Sequence, residues 1–230
     1  MKRNCLLLIP GVALCLSFVS PANAQMGTSF FERPAITKFF HPVVGKGALY
    51  TETDKDGKSH SMEMGILGKD SFEGKDGYWM QVYVDDAKKG TVGKILISPK
   101  DFELLRMIAQ QPGQQAMEMP MNMMGGAHRA RVNENLAEWH SVGSESVTVP
   151  AGTFSCEHWR NDKSNSDIWF SDKISPFGTV KEVRANGTVQ VLTKVLDSVP
   201  DRITGPIKKF DMQEMMQEMQ QRRQQEKPQR

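Results

Sequence analysis

The chain has 230 residues, of which 39% are hydrophobic, 24% charged and 8% aromatic. This length predicts one domain, and the composition is that of a soluble globular protein, which excludes collagen, a coiled coil and a multi-pass membrane protein. The formal net charge is only +2. A chain with so little net charge is not expected to have nucleic acid as its main partner.

The first 24 residues have the three parts of an export signal. Lys2 and Arg3 give a positively charged start, an apolar stretch runs from Cys5 to Val19, and Ala22-Asn23-Ala24 is a small-x-small cleavage motif. We therefore expect cleavage after Ala24 and a periplasmic or secreted protein that is peripheral to a membrane at most. Cleavage would leave Cys156 as the sole cysteine, so we expect no internal disulfide and a buried thiol.

A lead-in segment at residues 25–46, with a short helix ending near Pro42, precedes a predicted β-rich domain at residues 47–200. Apolar and polar residues alternate on both sides of turns such as Asp54-Lys55-Asp56-Gly57 and Asn186-Gly187, which is typical of antiparallel hairpins. The predicted strands cover residues 50–53, 60–66, 78–84, 92–97, 147–149, 154–160, 168–171, 178–184 and 188–196. The pattern predicts a mostly antiparallel sheet.

One internal helix is predicted at residues 98–111. Ser98 suits the N-cap, and Asp101 lies in the first turn, where the helix dipole favours a negative charge. Phe102, Leu105 and Ile108, each three residues apart, would form its apolar stripe. Pro112-Gly113 would end it.

Methionine is unusually frequent, and fourteen of the fifteen methionines lie beyond the predicted signal. Five of them fall between Met117 and Met124, inside a segment at residues 114–132 that has no clear periodicity. A second group lies in the C-terminal tail, residues 201–230, at the spacing of one helical face: Met212, Met215, Met216 and Met219. The tail therefore predicts a helix, and its polar end is expected to be disordered.

The methionine-rich segment supports three interpretations. Thioethers are soft ligands that select Cu(I), which favours a periplasmic copper site formed by Met117, Met119, Met121 and His128. Alternate residues of an extended chain lie roughly 7 Å apart, so this site needs the segment to bend back. Met is also flexible and apolar, which favours an adaptable contact surface. That surface would consist of Met117, Met119, Met121, Met123, Met124, Phe102 and Leu105. The third interpretation is an ordered flap that fills the core over the sheet.

The chain carries no recognisable catalytic motif. Gly-x-Ser-x-Gly, His-Glu-x-x-His and Cys-x-x-Cys are all lacking, so we expect a protein that is not an enzyme and needs no cofactor. One spacing matches an EF-hand calcium loop through Glu52, Asp54, Asp56, Gly57 and Glu63. Its flanks alternate like strands, however, so a hairpin turn is favoured over a calcium site.

The stretch from Val142 to Phe154 reads Val-Gly-Ser-Glu-Ser-Val-Thr-Val-Pro-Ala-Gly-Thr-Phe, and Ile168-Trp169-Phe170-Ser171 and Pro176-Phe177-Gly178-Thr179-Val180 follow it. Through these sequence motifs, residues 45–198 resemble uncharacterised exported bacterial domains related to the outer-membrane lipoprotein carrier superfamily. The resemblance implies a curved antiparallel sheet, or half-barrel, whose concave apolar face is covered by helices. It brings no catalytic residues with it.

These observations together predict a mainly β (α+β) fold: a curved, mostly antiparallel sheet with one or two covering helices and a C-terminal helical tail. The function expected of it is the binding of a lipid-like or other apolar ligand, or of an apolar segment of an envelope protein, because concave apolar surfaces are the usual ligand sites. Handling of Cu(I) through the methionine-rich segment is the alternative.

Overall fold

The computed structural model describes residues 36–86, 89–119 and 138–211, and these form one open sheet of twelve strands preceded by a single helical turn, α1 (Ile36–Phe39). The predicted signal, most of the lead-in segment and the tail beyond Asp211 lie outside the described residues. In chain order the strands are β1 (Gly47–Thr53), β2 (Ser59–Phe72), β3 (Lys75–Asp86), β4 (Lys89–Ile97), β5 (Leu104–Gln110), β6 (Met117–Met119), β7 (Trp139–Val149), β8 (Gly152–Asn161), β9 (Ser166–Phe170), β10 (Thr179–Val183), β11 (Val189–Leu196) and β12 (Lys208–Lys209).

The strands lie in the order β12-β6-β5-β4-β3-β2-β1-β11-β10-β9-β8-β7. Strands β1 to β6 form one antiparallel meander and β7 to β11 form another, and the pairing of β1 with β11 joins the two halves. Only β12 runs parallel to its neighbour, β6, among the described strands. The predicted mainly β, mostly antiparallel fold is confirmed.

Local turn chemistry fixes the two hairpins with the clearest sequence signals. The Asp54 carboxylate accepts hydrogen bonds from the backbone N–H groups of Asp56 and Lys58, both at 2.9 Å, between β1 and β2. Asn186 accepts one from Thr188 N–H at 3.0 Å between β10 and β11. Such bonds let the side chain itself close a turn. The segment with calcium-loop spacing is therefore a hairpin turn, as the strand-like flanks predicted.

The predicted helix at residues 98–111 is wrong. Residues 99–101 form a turn, closed by Phe102 N–H donating to the Ser98 carbonyl at 3.0 Å, and Leu104–Gln110 is strand β5. This strand is apolar on both faces, since Met107 lies on one face while Ile108, 2% exposed, is buried on the other. A strand with apolar residues on both faces loses the alternation that distinguishes it from a helix. The covering helices are absent from the described residues, where α1 is the only helix.

The segment from Val199 to Phe210, called the strap below, explains the burial of the face that carries Ile108. Gln81 on β3 donates to the Pro200 carbonyl at 3.0 Å and accepts from Arg202 N–H at 2.9 Å. Further along, Gln110 on β5 accepts from Thr204 N–H at 3.1 Å. The strap then ends beside β6, where it forms β12. It therefore crosses from the middle of the sheet to its edge and covers the face that carries Gln81 and Ile108.

Candidate functional site

The face of the sheet opposite the strap, called the inner face below, carries two rows of mainly apolar side chains. Residues that lie directly opposite each other on neighbouring antiparallel strands share a face, so the strand register defines each row from β2 to β6. The first row is Ile66, Met80, Ile95, Met107 and Met119. The second row is Met64, Val82, Gly93, Ala109 and Met117. Methionine thus recurs across the inner face and not only in the segment where the sequence concentrates it.

Burial decreases along both rows toward β6, the last but one strand of the sheet. Met64 and Met80 are 2% and 1% exposed and belong to the hydrophobic core. Met107, Met117 and Met119 are only half-buried. The inner face therefore continues beyond the core as an apolar surface that solvent can still reach.

Gly93 and Ala109 produce a depression in the second row. They lie directly opposite each other on β4 and β5, and both are half-buried. A Cβ atom added at Gly93 would meet no atom of the described residues within 4 Å. The flanking Val82 and Met117 have larger side chains, so the surface of the second row is indented at Gly93 and Ala109. Glycine inside a strand weakens it and often marks a place where a ligand or another backbone approaches closely.

An aromatic cluster closes one end of the inner face. The Phe40 ring centroid lies 5.0 Å from that of Phe102, 5.1 Å from that of Phe177 and 6.5 Å from that of Tyr78. Phe102 precedes β5 and Phe177 precedes β10, so the cluster joins opposite halves of the sheet. These ring contacts bring residues from both halves of the sheet together, while the predicted half-barrel curvature stays a prediction. Phe102 adopts φ +55°, a rare conformation for a bulky residue, while only 3% exposed.

A buried charged cluster lies at the other end of the inner face. One Nη atom of Arg184 donates to Glu52 at 2.5 Å, to Gln190 at 2.8 Å and to Glu182 at 3.2 Å. The His60 ring lies 2.9 Å from the second oxygen of Glu52. Burial of the guanidinium lowers the pKa of Arg184, but the two adjacent carboxylates raise it by more, so its net direction is upward. The cluster is a charged boundary beside the apolar rows.

A second polar cluster occupies the half of the sheet that contains β7 to β10. His158 lies 2.7 Å from Asp167 and 3.1 Å from Glu145, and its ring stacks on Trp169 with centroids 4.4 Å apart. Cys156 on the same strand is 1% exposed, which confirms the predicted burial. Burial, and then the charge of Glu145, raise the pKa of the Cys156 thiol to about 11. A thiol with this pKa stays protonated at neutral pH and is a poor nucleophile.

Within residues 36–86, 89–119 and 138–211, no three His, Cys, Asp or Glu side chains are grouped so that they would hold a metal ion. No helix of these ranges has the length and apolar character needed to cross a membrane.

The structure places four of the residues predicted to line a site. Met117 and Met119 lie on β6 at the half-buried end of the inner face. Phe102 lies in the aromatic cluster at the closed end. Leu105, 5% exposed, is the extra residue of a bulge in β5 and not part of a helix. The other predicted residues lie outside the described ranges: Met121, Met123, Met124 and His128.

Three residues of the inner face were not predicted from the sequence: Gly93, Ala109 and Met107. Their position depends on the register of β4, β5 and β6, which joins residues that are not adjacent in the chain. Met107 was also assigned to the predicted helix, where it would not face Met119. The one available signal was the glycine at position 93, next to the apolar end of the predicted strand at residues 92–97.

No family model and no curated protein matches this chain. Among solved structures, it is similar to a candidate exported protein with a YmcC-like fold from Bacteroides fragilis NCTC 9343, at 14% identity and a TM-score of 0.35, covering 68% of this chain and 98% of that one. A candidate lipoprotein from Parabacteroides distasonis ATCC 8503 gives 15% identity and a TM-score of 0.34, with 68% and 97% of the two chains covered. MucB in complex with MucA(peri) gives 10% identity and a TM-score of 0.40, with 79% and 59% covered.

These scores are too low to establish a common fold. The relation to the lipoprotein carrier superfamily therefore stays a prediction, and the function has to be argued from the chain's own residues.

Proposed function

We propose that this chain is an exported binding protein of the cell envelope that takes a lipid-like or other apolar ligand on its inner face and catalyses no reaction. The predicted signal at residues 1–24 supports the location. The ligand would lie over Gly93 and Ala109, in contact with the thioethers of Met107, Met117 and Met119. An apolar segment of an envelope protein is the other occupant that such a surface would accept.

The observation that carries this proposal is the open space above Gly93 beside half-buried methionines. Ligand sites are usually concave and mainly apolar, with few polar groups near them. Methionine side chains adapt to irregular apolar shapes because they are unbranched and have three rotatable bonds. The sheltered depression and its flexible lining suit a ligand with an apolar body.

The ends of the inner face favour an amphiphilic ligand over a purely apolar one. The aromatic cluster around Phe40 closes one end with apolar rings. At the other end, the side chains of His60 and Arg184 are 32% and 28% exposed at the rim of the charged cluster. A molecule with an apolar chain and a polar head would match this change from apolar to charged lining.

The proposal is tested with N-phenyl-1-naphthylamine, an uncharged apolar probe that fluoresces when it leaves water. We expect the purified protein to bind the probe and Gly93→Val to bind it at least tenfold more weakly, because the added side chain fills the depression. The variant should fold, since a Cβ at Gly93 meets no neighbour and valine favours strands.

Gly68→Val is the matched control. Gly68 is also a strand glycine whose added Cβ would have no atom within 4 Å in the part of the chain that the structure describes, but it lies opposite Trp79 on the face away from the proposed site. Gly68→Val should bind the probe as tightly as the unsubstituted protein does. Equal binding by Gly93→Val, or equal loss in both variants, would contradict the proposal. Organic extraction of protein purified from its own envelope, followed by mass spectrometry, should then identify the natural ligand.

A further inference from the structure

Three methionines lie near one another on the inner face where β5 pairs with β6. Met107 lies directly opposite Met119, and Met117 occupies the next position of β6 on the same face, opposite Ala109. The Cβ atoms of directly opposite residues are about 5 Å apart, and diagonal neighbours about 7 Å apart, which long side chains can span. All three side chains are half-buried, so they are sheltered but still accessible.

We propose that Met107, Met117 and Met119 form a binding site for a soft monovalent metal ion, Cu(I). Thioether sulfur is a soft, neutral ligand that selects Cu(I) over hard cations such as Mg²⁺ and Ca²⁺. Met107 removes the geometric difficulty of a site built from β6 alone, because it supplies a sulfur from the adjacent strand, directly opposite Met119 and diagonal to Met117. This inference goes beyond the binding of an apolar ligand and does not depend on it.

The surroundings favour convergence of the three sulfurs on one ion. Ala109 and Gly93 are small and leave room beside Met117, so the flexible methionine side chains can turn toward a common point. Glu118, between the two β6 methionines, lies on the opposite face, where it pairs with Arg106 at 2.6 Å. Among the described residues, the neighbours of the three methionines on this face therefore include no carboxylate to attract a hard cation, and Lys208 of β12, opposite Met117, adds a positive charge that disfavours one.

Other methionines of the inner face are less suited to the ion. Met62, Met64 and Met80 are 3%, 2% and 1% exposed and pack within the core. An ion could reach them only if the core opened. Met62 therefore provides a control on the same face of the same sheet.

The test is a Cu(I) titration under anaerobic, reducing conditions, in competition with bicinchoninate. We expect Met107→Leu, Met117→Leu and Met119→Leu each to weaken Cu(I) binding at least tenfold, and the triple variant to lose this site. Met62→Leu should bind as the unsubstituted protein does. Methionine and leucine have similar volumes, so all variants should keep the fold, which far-ultraviolet circular dichroism would verify.

Two outcomes would overturn this inference: a triple variant with unchanged Cu(I) affinity, or an equal loss in Met62→Leu. The X-ray absorption spectrum of the loaded protein should show sulfur neighbours alone, and nitrogen or oxygen neighbours would also contradict the assigned ligands. Failure of this site is distinguishable from failure of the proposed function, because the latter is measured by the apolar probe and Gly93→Val without any metal.

Discussion

Replacing Arg184 with methionine removes the positive charge from the centre of the charged cluster. In the folded protein its guanidinium contacts Glu52 and Glu182, whose side chains are only 10% and 11% exposed. The substitution would leave both carboxylates in a poorly solvated place with their common partner gone. Breaking a buried ion pair from one side costs about 3–5 kcal/mol. Because small domains have a total free energy of unfolding of about 5–15 kcal/mol, the loss should be large.

The assay is urea denaturation at pH 7, followed by tryptophan fluorescence. Arg184→Met should lower the free energy of unfolding by about 3–5 kcal/mol. Lys46→Met is the control, since Lys46 pairs with Asp197 while their side chains are 45% and 90% exposed. Exposed pairs contribute about 0–1 kcal/mol. If Arg184→Met were as mild as the control, the interpretation of this cluster as a buried ionic group would be refuted.

Three further predictions concern other parts of the molecule. Iodoacetamide should label Cys156 at pH 8 only after denaturation, because the Cys156 thiol is buried and has a pKa of about 11. Rapid labelling of the folded protein would contradict this prediction. Gly65→Ala should cost about 1–3 kcal/mol and speed hydrogen exchange in the strap, since the new Cβ would lie 2.4 Å from a methyl carbon of Val199. The hydrogen bond from Arg106 lowers the pKa of Glu118 below its usual 4.5, so this pair stabilises the fold above that pH and its contribution is lost as the pH falls. Glu118→Gln should therefore lower the free energy of unfolding by up to about 1 kcal/mol at pH 7 and leave it unchanged in acid. A difference in stability that persists at low pH would contradict a contribution from the Arg106–Glu118 ion pair.

Much of the fold could be predicted from local sequence signals. Asp54 and Asn186 close their turns with their own side chains, so the hairpins around them are encoded within a few residues. Most strands beside such turns have one face in the core, which preserves the alternation that reveals them. The helix prediction failed at β5, which lacks a clear alternation of apolar and polar residues. The strap buries Ile108 on one face of this strand, and Met107 is an apolar residue on the other. The burial arises from residues about ninety positions further along the chain, which no local pattern can reveal.

The candidate site was only partly predictable for the same reason. Composition alone directed attention to Met117 and Met119, which lie at the half-buried end of the inner face. Met107 joins them only through the β5–β6 register. The charged cluster is still less local, since Arg184 and its partner Glu52 are 132 positions apart. Local patterns predicted the elements, whereas long-range pairing determines which side chains meet.

The accessibility of the inner face can be measured with methionines that carry ¹³C-labelled methyl groups. A soluble nitroxide added to the solution broadens the nuclear magnetic resonance signals of methyl groups that it can approach. We predict strong broadening for Met107, Met117 and Met119, and little for Met62, Met64 and Met80. Addition of N-phenyl-1-naphthylamine should then protect the first group. Equal protection of all six methyl groups before any probe is added would contradict an open, apolar binding face.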